Sequence, residues 1–260
     1  MPSDLEIALA AADLADRFTL SMFRQASLKV ETKADSSPVT EADRGAEAVV
    51  RQWIARERPG DAVLGEEMGS AGTGSRRWLV DPIDGTVNFV RGIPVWATLL
   101  GLEVDGAMQV GVASAPALGR RWWASRGEGA FAGAAGSRGE RLRVSAVDEL
   151  ASSTISCGGV GYFAEPELVV RLLARAERDR GFGDFWQHML VAEGALEVAL
   201  EPLASIWDIA ALQVIVEEAG GKFTDLAGVR RLDGGNAISS NGLFHDEIAR
   251  ALASSASAGA

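Results

Sequence analysis

Residues Trp78-Leu79-Val80-Asp81-Pro82-Ile83-Asp84-Gly85-Thr86 read as a short apolar strand running into two carboxylates three residues apart, a turn and a hydroxyl. Aspartate is depleted in strands and proline marks their ends, so the spacing predicts that the strand stops at Leu79-Val80. Two acids crowded at a strand end repel each other unless a cation lies between them. The hard cation suited to such oxygen ligands is Mg²⁺, which also shares its shell with phosphate. The stretch therefore suits a metal-assisted phosphoryl site. A plainer reading stands beside it. Asp84-Gly85 is a turn dipeptide, and Asp84 or Thr86 can cap a following helix.

Composition narrows the choice. The 260 residues are 47% hydrophobic, enough for a full core in one large domain or two closely packed halves. No apolar run reaches the length of a membrane span, and the acidic start Met1-Pro2-Ser3-Asp4 is not a secretory signal. A single cysteine, Cys157, excludes an internal disulfide, reads as a small buried side chain, and fits a reducing cytoplasm. The net charge of −11 argues against nucleic-acid binding, which needs a basic footprint. It would also repel a phosphate ester, unless bound divalent cations invert the local field.

The patterning predicts helices over 3–25, 40–58, 166–177, 185–193, 206–219 and 244–252. Strands are expected over 62–64, 95–104, 108–115, 121–125, 141–144, 152–156 and 196–200. Residues 27–38 read as a loop, 70–76 as a mobile Gly/Ser-rich segment, and 253–260 as a frayed tail. Arg121-Trp122-Trp123 suits either core or an interface. Alternating blocks of helix and strand indicate a layered α+β architecture.

Four acidic features sit at element edges. Glu66 and Glu67 follow the strand at Leu64, and Asp81 and Asp84 follow Val80. Asp43 and Asp208 lie in the first turns of helices. Each has a local explanation. Thr40-x-x-Asp43 and Ser205-x-x-Asp208 match the capping box, and first-turn acids complement the helix dipole. Spacing alone does not bring these acids together.

Gly65-Glu66-Glu67, Trp78 to Thr86 followed by Asn88-Phe89, and Trp207-Asp208-Ile209-Ala210-Ala211 with Glu218-Ala219-Gly220-Gly221 resemble the signatures of the inositol monophosphatase family. The resemblance runs in order over nearly the whole chain. It implies a Mg²⁺-dependent, lithium-sensitive phosphatase built as an αβαβα sandwich of the sugar-phosphatase type. It also implies one catalytic domain over 1–260, with approximate halves 1–145 and 146–260, and a homodimer. By the same resemblance, Glu66, Asp81 and the Ile83 carbonyl would hold one Mg²⁺. Asp81, Asp84 and Asp208 would hold a second, and Asp43 would place a third through water. Thr86, partnered by Asp43, would hydrogen-bond the attacking water, while Gly85 and Thr86 N–H groups would take phosphate oxygens. Glu67 would support Glu66. A metal-activated water needs no histidine, and His188 and His245 are the only two here.

The segment Arg180-Gly181-Phe182-Gly183-Asp184-Phe185-Trp186, with Met189 to Gly194 and Ile93 to Leu99, resembles the histidinol-phosphate phosphatase branch. Asp184 would accept a charge-assisted hydrogen bond from a substrate ammonium. Glu201 stands seven residues before Asp208, where the family places a carboxylate against its substrate, and Phe185 or Trp186 would wall the imidazole. Each has a plainer role: cap for Asp184, core for Phe185 and Trp186, solvated acid for Glu201. His188, on an amphipathic helix, reads as structural. The expected reaction is hydrolysis of L-histidinol phosphate in histidine biosynthesis. The alternative is an inositol-1-monophosphatase or broad sugar-phosphate phosphatase. A nucleotide-type 3′-phosphatase is a third option, disfavoured because the sequence shows no basic cluster for a second phosphate. Members of the family also bind transcription machinery, so an interaction module is a reading from another class. A non-catalytic descendant would have no reason to keep Glu66, Asp81, Asp84, Asp208, Asp43 and Thr86 together.

Overall fold

The computed structural model describes residues 2–33 and 37–253; residues 34–36 of the expected loop and nearly all of the expected frayed tail lie outside the described residues. The helices are α1 (Asp4–Met22), α2 (Glu41–Glu57), α3 (Thr86–Val90), α4 (Pro166–Leu173), α5 (Asp184–Ala192), α6 (Ile206–Glu218) and α7 (His245–Ala253). A small ribbon pairs β1 (Val30–Thr32) with β2 (Pro38–Thr40). A mixed sheet holds β3 (Ala62–Gly65), β4 (Gly69–Ala71), β5 (Arg76–Asp84), β6 (Ala97–Val104), β7 (Ala107–Ala115), β8 (Arg120–Ser125), β9 (Gly129–Gly133) and β10 (Glu140–Arg141). Its order is β10-β9-β8-β7-β6-β5-β3-β4, with only β3 and β5 parallel. The second sheet holds β11 (Thr154–Cys157), β12 (Arg178–Arg180), β13 (Val198–Glu201), β14 (Lys222–Thr224) and β15 (Ala237–Ser240), in the order β12-β11-β13-β15-β14.

Apolar faces stack these elements into five layers. Ile7, Ala11 and Ala15 of α1 and Val50 and Ile54 of α2 pack on Trp78, Val80, Leu100 and Val112 of the larger sheet. The opposite face of that sheet, through Leu79, Leu99 and Ala113, meets Phe185, Met189, Ile209 and Ile215 of α5 and α6. Ala199, Phe223 and Ala237 of the second sheet close over those helices. The far face of that sheet, Ile155, Val198 and Ile238, is covered by Val169 and Leu172 of α4 and Ile248 of α7. The expected αβαβα sandwich is thus the observed one. Each fully buried Ile, Leu or Val contributes about 1.5–3 kcal/mol to this arrangement.

Helix α6 carries no polar stripe, because sheets flank it on both sides and every residue from Ile209 to Val216 is buried. Its backbone approaches the larger sheet so closely that a Cβ on Gly111 would stand 2.3 Å from the Ala211 carbonyl oxygen. That contact sets the height of the first turn of α6, and so of Asp208.

Several expectations change. Strand β5 does not stop at Val80 but runs through Pro82 to Asp84. Asp81 faces Leu99 and Asp84 faces Ala97, so β5 carries one extra residue there. The bulge tolerates proline, which has no N–H to offer a ladder, and the Thr98 hydroxyl donates to the Pro82 carbonyl at 2.8 Å. The expected loop at 27–38 contains β1 and the start of β2, and the segment expected to be mobile begins with β4 paired to β3. Helix α4 ends at Leu173, after which β12 forms, and β9 was not anticipated. β1, β4 and β12 are three-residue, fully exposed strands, so no alternation of hydrophobicity announces them. Arg121, Trp122 and Trp123 are buried, with Arg121 paired to Asp16 at 2.6 Å. Among the described residues, no helix is long and apolar enough to cross a membrane.

Candidate active site

The end of β3, the bulge of β5 and the first turns of α2, α5 and α6 meet at one place. Carboxylate oxygens of Asp81, Asp84 and Asp208 all lie within 4.8 Å of one another. Burial, then Glu66, Asp84 and Asp208, hold the Asp81 carboxyl well above the ordinary range. Burial followed by Asp184 and Asp208 does the same for Asp84, and burial foremost pushes Asp208 up to about 7. Among the described residues no lysine, arginine or histidine makes an ion pair with these three acids. With Asp81 buried and the other two half-buried, unpaired, oxygen-only and mutually repelling, they fit a hard divalent cation.

Each acid is also anchored by backbone. Asp81 Oδ1 accepts from the Ile83 N–H at 2.9 Å, which shapes the bulge. Asp84 Oδ2 accepts from the Phe185 N–H at 2.7 Å, at the start of α5. Asp208 Oδ2 accepts from the Ser205 N–H at 2.7 Å, closing the capping box of α6. Asp43 is completely buried, and its Oδ2 takes the Thr40 N–H at 2.8 Å and hydroxyl at 2.6 Å, closing the box of α2. Capping and site-building are therefore not alternatives here. The same carboxylates do both.

The other Asp43 oxygen, Oδ1, lies 3.1 Å from Thr86 Oγ1, which is also 3.0 Å from the Ile83 carbonyl. Burial raises the Asp43 pKa despite the Thr40 and Thr86 hydrogen bonds. With its proton directed at these acceptors, the Thr86 oxygen retains lone pairs able to accept from a water. Gly85 precedes Thr86 at φ +84°, a left-handed turn that only glycine makes without strain, and a Cβ there would meet the Val95 carbonyl at 3.1 Å.

Glu66 and Glu67 are held from a direction the sequence did not disclose. Glu47, fully buried on α2, accepts from the Glu67 N–H at 2.7 Å, the Met68 N–H at 3.1 Å and Arg51 Nε at 2.6 Å. Gly65 leaves room for it, since a Cβ would stand 2.2 Å from Glu47 Oε1. The only hint was the Glu47–Arg51 spacing, which is common on any helix. Lys33 bridges Glu66 and Glu67, at 2.6 Å from Glu66 Oε1. Burial lowers the Lys33 pKa, but the two carboxylates outweigh it and the net shift is upward. Glu66 thus stands at the rim of the three-aspartate cluster, with a lysine on it.

A cavity of about 110 Å³ adjoins the cluster, lined in part by Asp84, Asp208, Asp184, Glu201 and His188. It shares Asp184, Glu201 and Leu203 with an outer cavity of about 350 Å³. Asp184 has φ +49°, and its Oδ2 accepts from Asn88 Nδ2 at 3.0 Å. The residue that caps α5 is Gly183, and Asp84 takes the N–H, so Asp184 does not have the capping role. Glu201 Oε2 accepts from Gln187 Nε2 at 3.0 Å, and burial followed by Asp184 pushes its pKa up to about 8. Asn88 enters the sequence reading only as part of a signature, without a role, and Gln187 was missed, since an amide inside a helix gives no sign of what it holds.

Phe185 is fully buried, with its ring against Trp122 at 5.9 Å between centroids; it lines the inner cavity, and its backbone N–H donates to Asp84. Trp186 is half-buried against Phe182. His188 is buried and hydrogen-bonded to Ser239 at 2.8 Å, and burial lowers its pKa to about 3, which makes it neutral. A hollow of about 590 Å³ beside Ser3 and Asp4 lies elsewhere; its Arg58 and Arg76 are both paired with Asp4.

A family model for the inositol monophosphatase family matches residues 3–257. The histidinol-phosphatase of Mycobacterium tuberculosis is 53% identical over 94% of this chain and 96% of its own length. That of Streptomyces coelicolor is 48% identical over 94% and 95%. Among solved structures, the Thermotoga maritima IMPase superposes with a TM-score of 0.85 at 32% identity, covering 96% of each chain. The extragenic suppressor protein suhB of Bartonella henselae gives 0.87 at 30%, covering 96% and 98%. With that match spanning residues 3–257 and the layers superposing along nearly their whole length, the chain belongs to the inositol monophosphatase family.

Proposed function

We propose that this chain is a cytoplasmic, homodimeric, Mg²⁺-dependent histidinol-phosphatase: L-histidinol phosphate plus water gives L-histidinol plus phosphate. The observation that carries the substrate reading is the pair Asp184 and Glu201 in a cavity that opens onto the aspartate cluster. An ammonium has only donors, and a wall of carboxylates answers it with charge-assisted hydrogen bonds worth about 1.5–3 kcal/mol each. The high identity to histidinol-phosphatases supports the same reading. Both halves of the chain furnish site residues, so we treat 1–260 as one catalytic domain.

Glu66, Asp81, Asp84, Asp208 and the Ile83 carbonyl would hold the ions, with Asp43 behind them and Glu67 steadying Glu66. When bound, two or three Mg²⁺ ions supply the positive charge that admits a phosphate dianion and makes water a competent nucleophile near neutral pH. Thr86 accepts a hydrogen bond from the attacking water and fixes its line of approach. Asp43 holds the Thr86 hydroxyl in that orientation and would take up the water's proton by relay, Thr86 passing its own hydroxyl proton to Asp43 as it receives one from the water. Gly85 and Thr86 present backbone N–H groups to phosphate oxygens. Asn88 and Gln187 fix the Asp184 and Glu201 carboxylates that orient the organic half.

The test is phosphate release from L-histidinol phosphate and from inositol 1-phosphate at matched concentrations, with and without Mg²⁺. The expected result is Mg²⁺-dependent hydrolysis with kcat/KM at least about 100-fold higher for L-histidinol phosphate, as two charge-assisted hydrogen bonds allow. Preference for the inositol ester would return the chain to the polyol branch. Turnover that survives exhaustive chelation would remove the metal assignment.

A further inference from the structure

The outer cavity has a wall with no role so far. Tyr162, the one tyrosine of the chain, lines it from a short 3-10 turn over Val160–Tyr162 and is 69% exposed. Two glycines before it shape the wall. A Cβ on Gly158 would fall 3.4 Å from Glu201 Oε2 and 3.3 Å from Gly183 Cα, so this residue lets the backbone pass close to the acid. A Cβ on Gly159 would stand 2.7 Å from Tyr162 Cδ2 and 3.0 Å from Cε2, so the bare backbone is the seat on which the ring rests. Leu203, 64% exposed, adds a second apolar side chain to the same cavity.

Single exposed apolar side chains are ordinary on a protein surface; a pair lining one concave site is a binding feature. Here they share a cavity with two carboxylates, Asp184 and Glu201. Its volume, about 350 Å³, lies within the range of small-molecule sites. The combination suits a flat heteroaromatic ring with N–H groups on its edge. An aromatic face takes the ring by offset stacking, and it takes a protonated ring by cation–π attraction as well. A polyol offers no such face.

We propose that Tyr162 is a specificity-determining residue that stacks on the imidazole of L-histidinol phosphate, with Gly159 as its seat; this rests on the substrate reading above. Tyr162 sets how tightly the organic half is held and takes no part in the chemical step. Its aromatic face matters, and its hydroxyl does not.

The test uses the full-length enzyme with Mg²⁺. Tyr162→Ala is expected to raise both KM for L-histidinol phosphate and the inhibition constant of L-histidinol about three- to tenfold, the range of one stacked ring. kcat stays within about twofold, the split expected when uniform binding is lost. Inhibition by inorganic phosphate, which engages only the metal end, is unchanged. Tyr162→Phe behaves as wild type, and Gly159→Ala, which drives the ring off its seat, reproduces Tyr162→Ala. Unchanged KM and L-histidinol inhibition in Tyr162→Ala overturn the assignment, as does an equal weakening of phosphate inhibition. A wild-type enzyme indifferent between L-histidinol phosphate and inositol 1-phosphate removes the substrate reading and this inference together. A clear wild-type preference with a silent Tyr162→Ala removes this inference alone.

Discussion

The aspartate cluster and the cavity beside it are both acidic, yet they are built differently. In the cluster, Asp81, Asp84 and Asp208 each accept a backbone N–H, and Asp43 accepts another behind them. In the cavity, Asp184 is held by the side-chain amide of Asn88, and Glu201 by that of Gln187 together with the Leu203 backbone N–H. Backbone anchors are as rigid as the elements that carry them. Amide anchors change with a single substitution. The difference separates what every phosphate ester needs from what one particular ester needs.

The largest expected effect comes from the cluster. Asp84→Asn keeps an oxygen for the Phe185 N–H and removes the charge a cation requires. Loss of even an outer partner of a metal site costs about 10–100-fold, so this variant should lose more than about 100-fold in kcat/KM on every ester. Circular dichroism should show the fold intact. Loss confined to one substrate would break the comparison.

A smaller and selective effect is expected from the cavity. Asp184→Asn is the clean variant, because asparagine tolerates the left-handed φ of +49° where a β-branched threonine does not. Removing one charge-assisted hydrogen bond should lower kcat/KM for L-histidinol phosphate about 10- to 100-fold and leave inositol 1-phosphate nearly unchanged. Equal losses on both esters would show that the cavity and the cluster are one unit.

The smallest effect is on stability. Asp208 and Glu201 have pKa values raised by burial to about 7 and about 8, above the ordinary carboxylate values they regain on unfolding. The folded chain therefore binds more protons than the unfolded one between those limits. Without metal, stability is greatest at the acidic end of this window and falls as pH rises through it. Thermal melts in chelator should drop by roughly 5 °C or more between pH 4.5 and 8, and saturating Mg²⁺ should flatten the slope. A melting temperature that rises with pH in chelator would mean that the acids are already neutralised by the protein.

The same contrast explains what could be read from the chain alone. Asp43, Glu66, Asp84 and Asp208 stand out because each lies where an element begins or ends, and Asp81 because an acid is rare inside an apolar strand. Glu47 was invisible, since a carboxylate inside a helix normally faces water. Here a glycine at the end of the next element, Gly65 of β3, opens the space that buries it. Pro82 misled the strand reading because a bulge removes the hydrogen bond that proline cannot make. The placement of Phe185 depended on which face of α5 meets the larger sheet, and the helix is apolar enough on both sides to hide that. Tyr162 owes its position to backbone packing around Gly158 and Gly159, which no local pattern encodes.

The dual service of the acids has an evolutionary consequence. Asp43 and Asp208 close capping boxes, and Asp84 satisfies the first turn of α5. Each such cap contributes about 0.5–2 kcal/mol to folding. Against the expectation from the sequence that a non-catalytic descendant would have no reason to keep them, one that abandoned hydrolysis for partner binding would still be selected to keep these three side chains as ordinary structural parts. Their survival in a lineage records foldedness as much as catalysis. The better fossil of lost activity would be Thr86, whose hydroxyl closes no capping box of this kind.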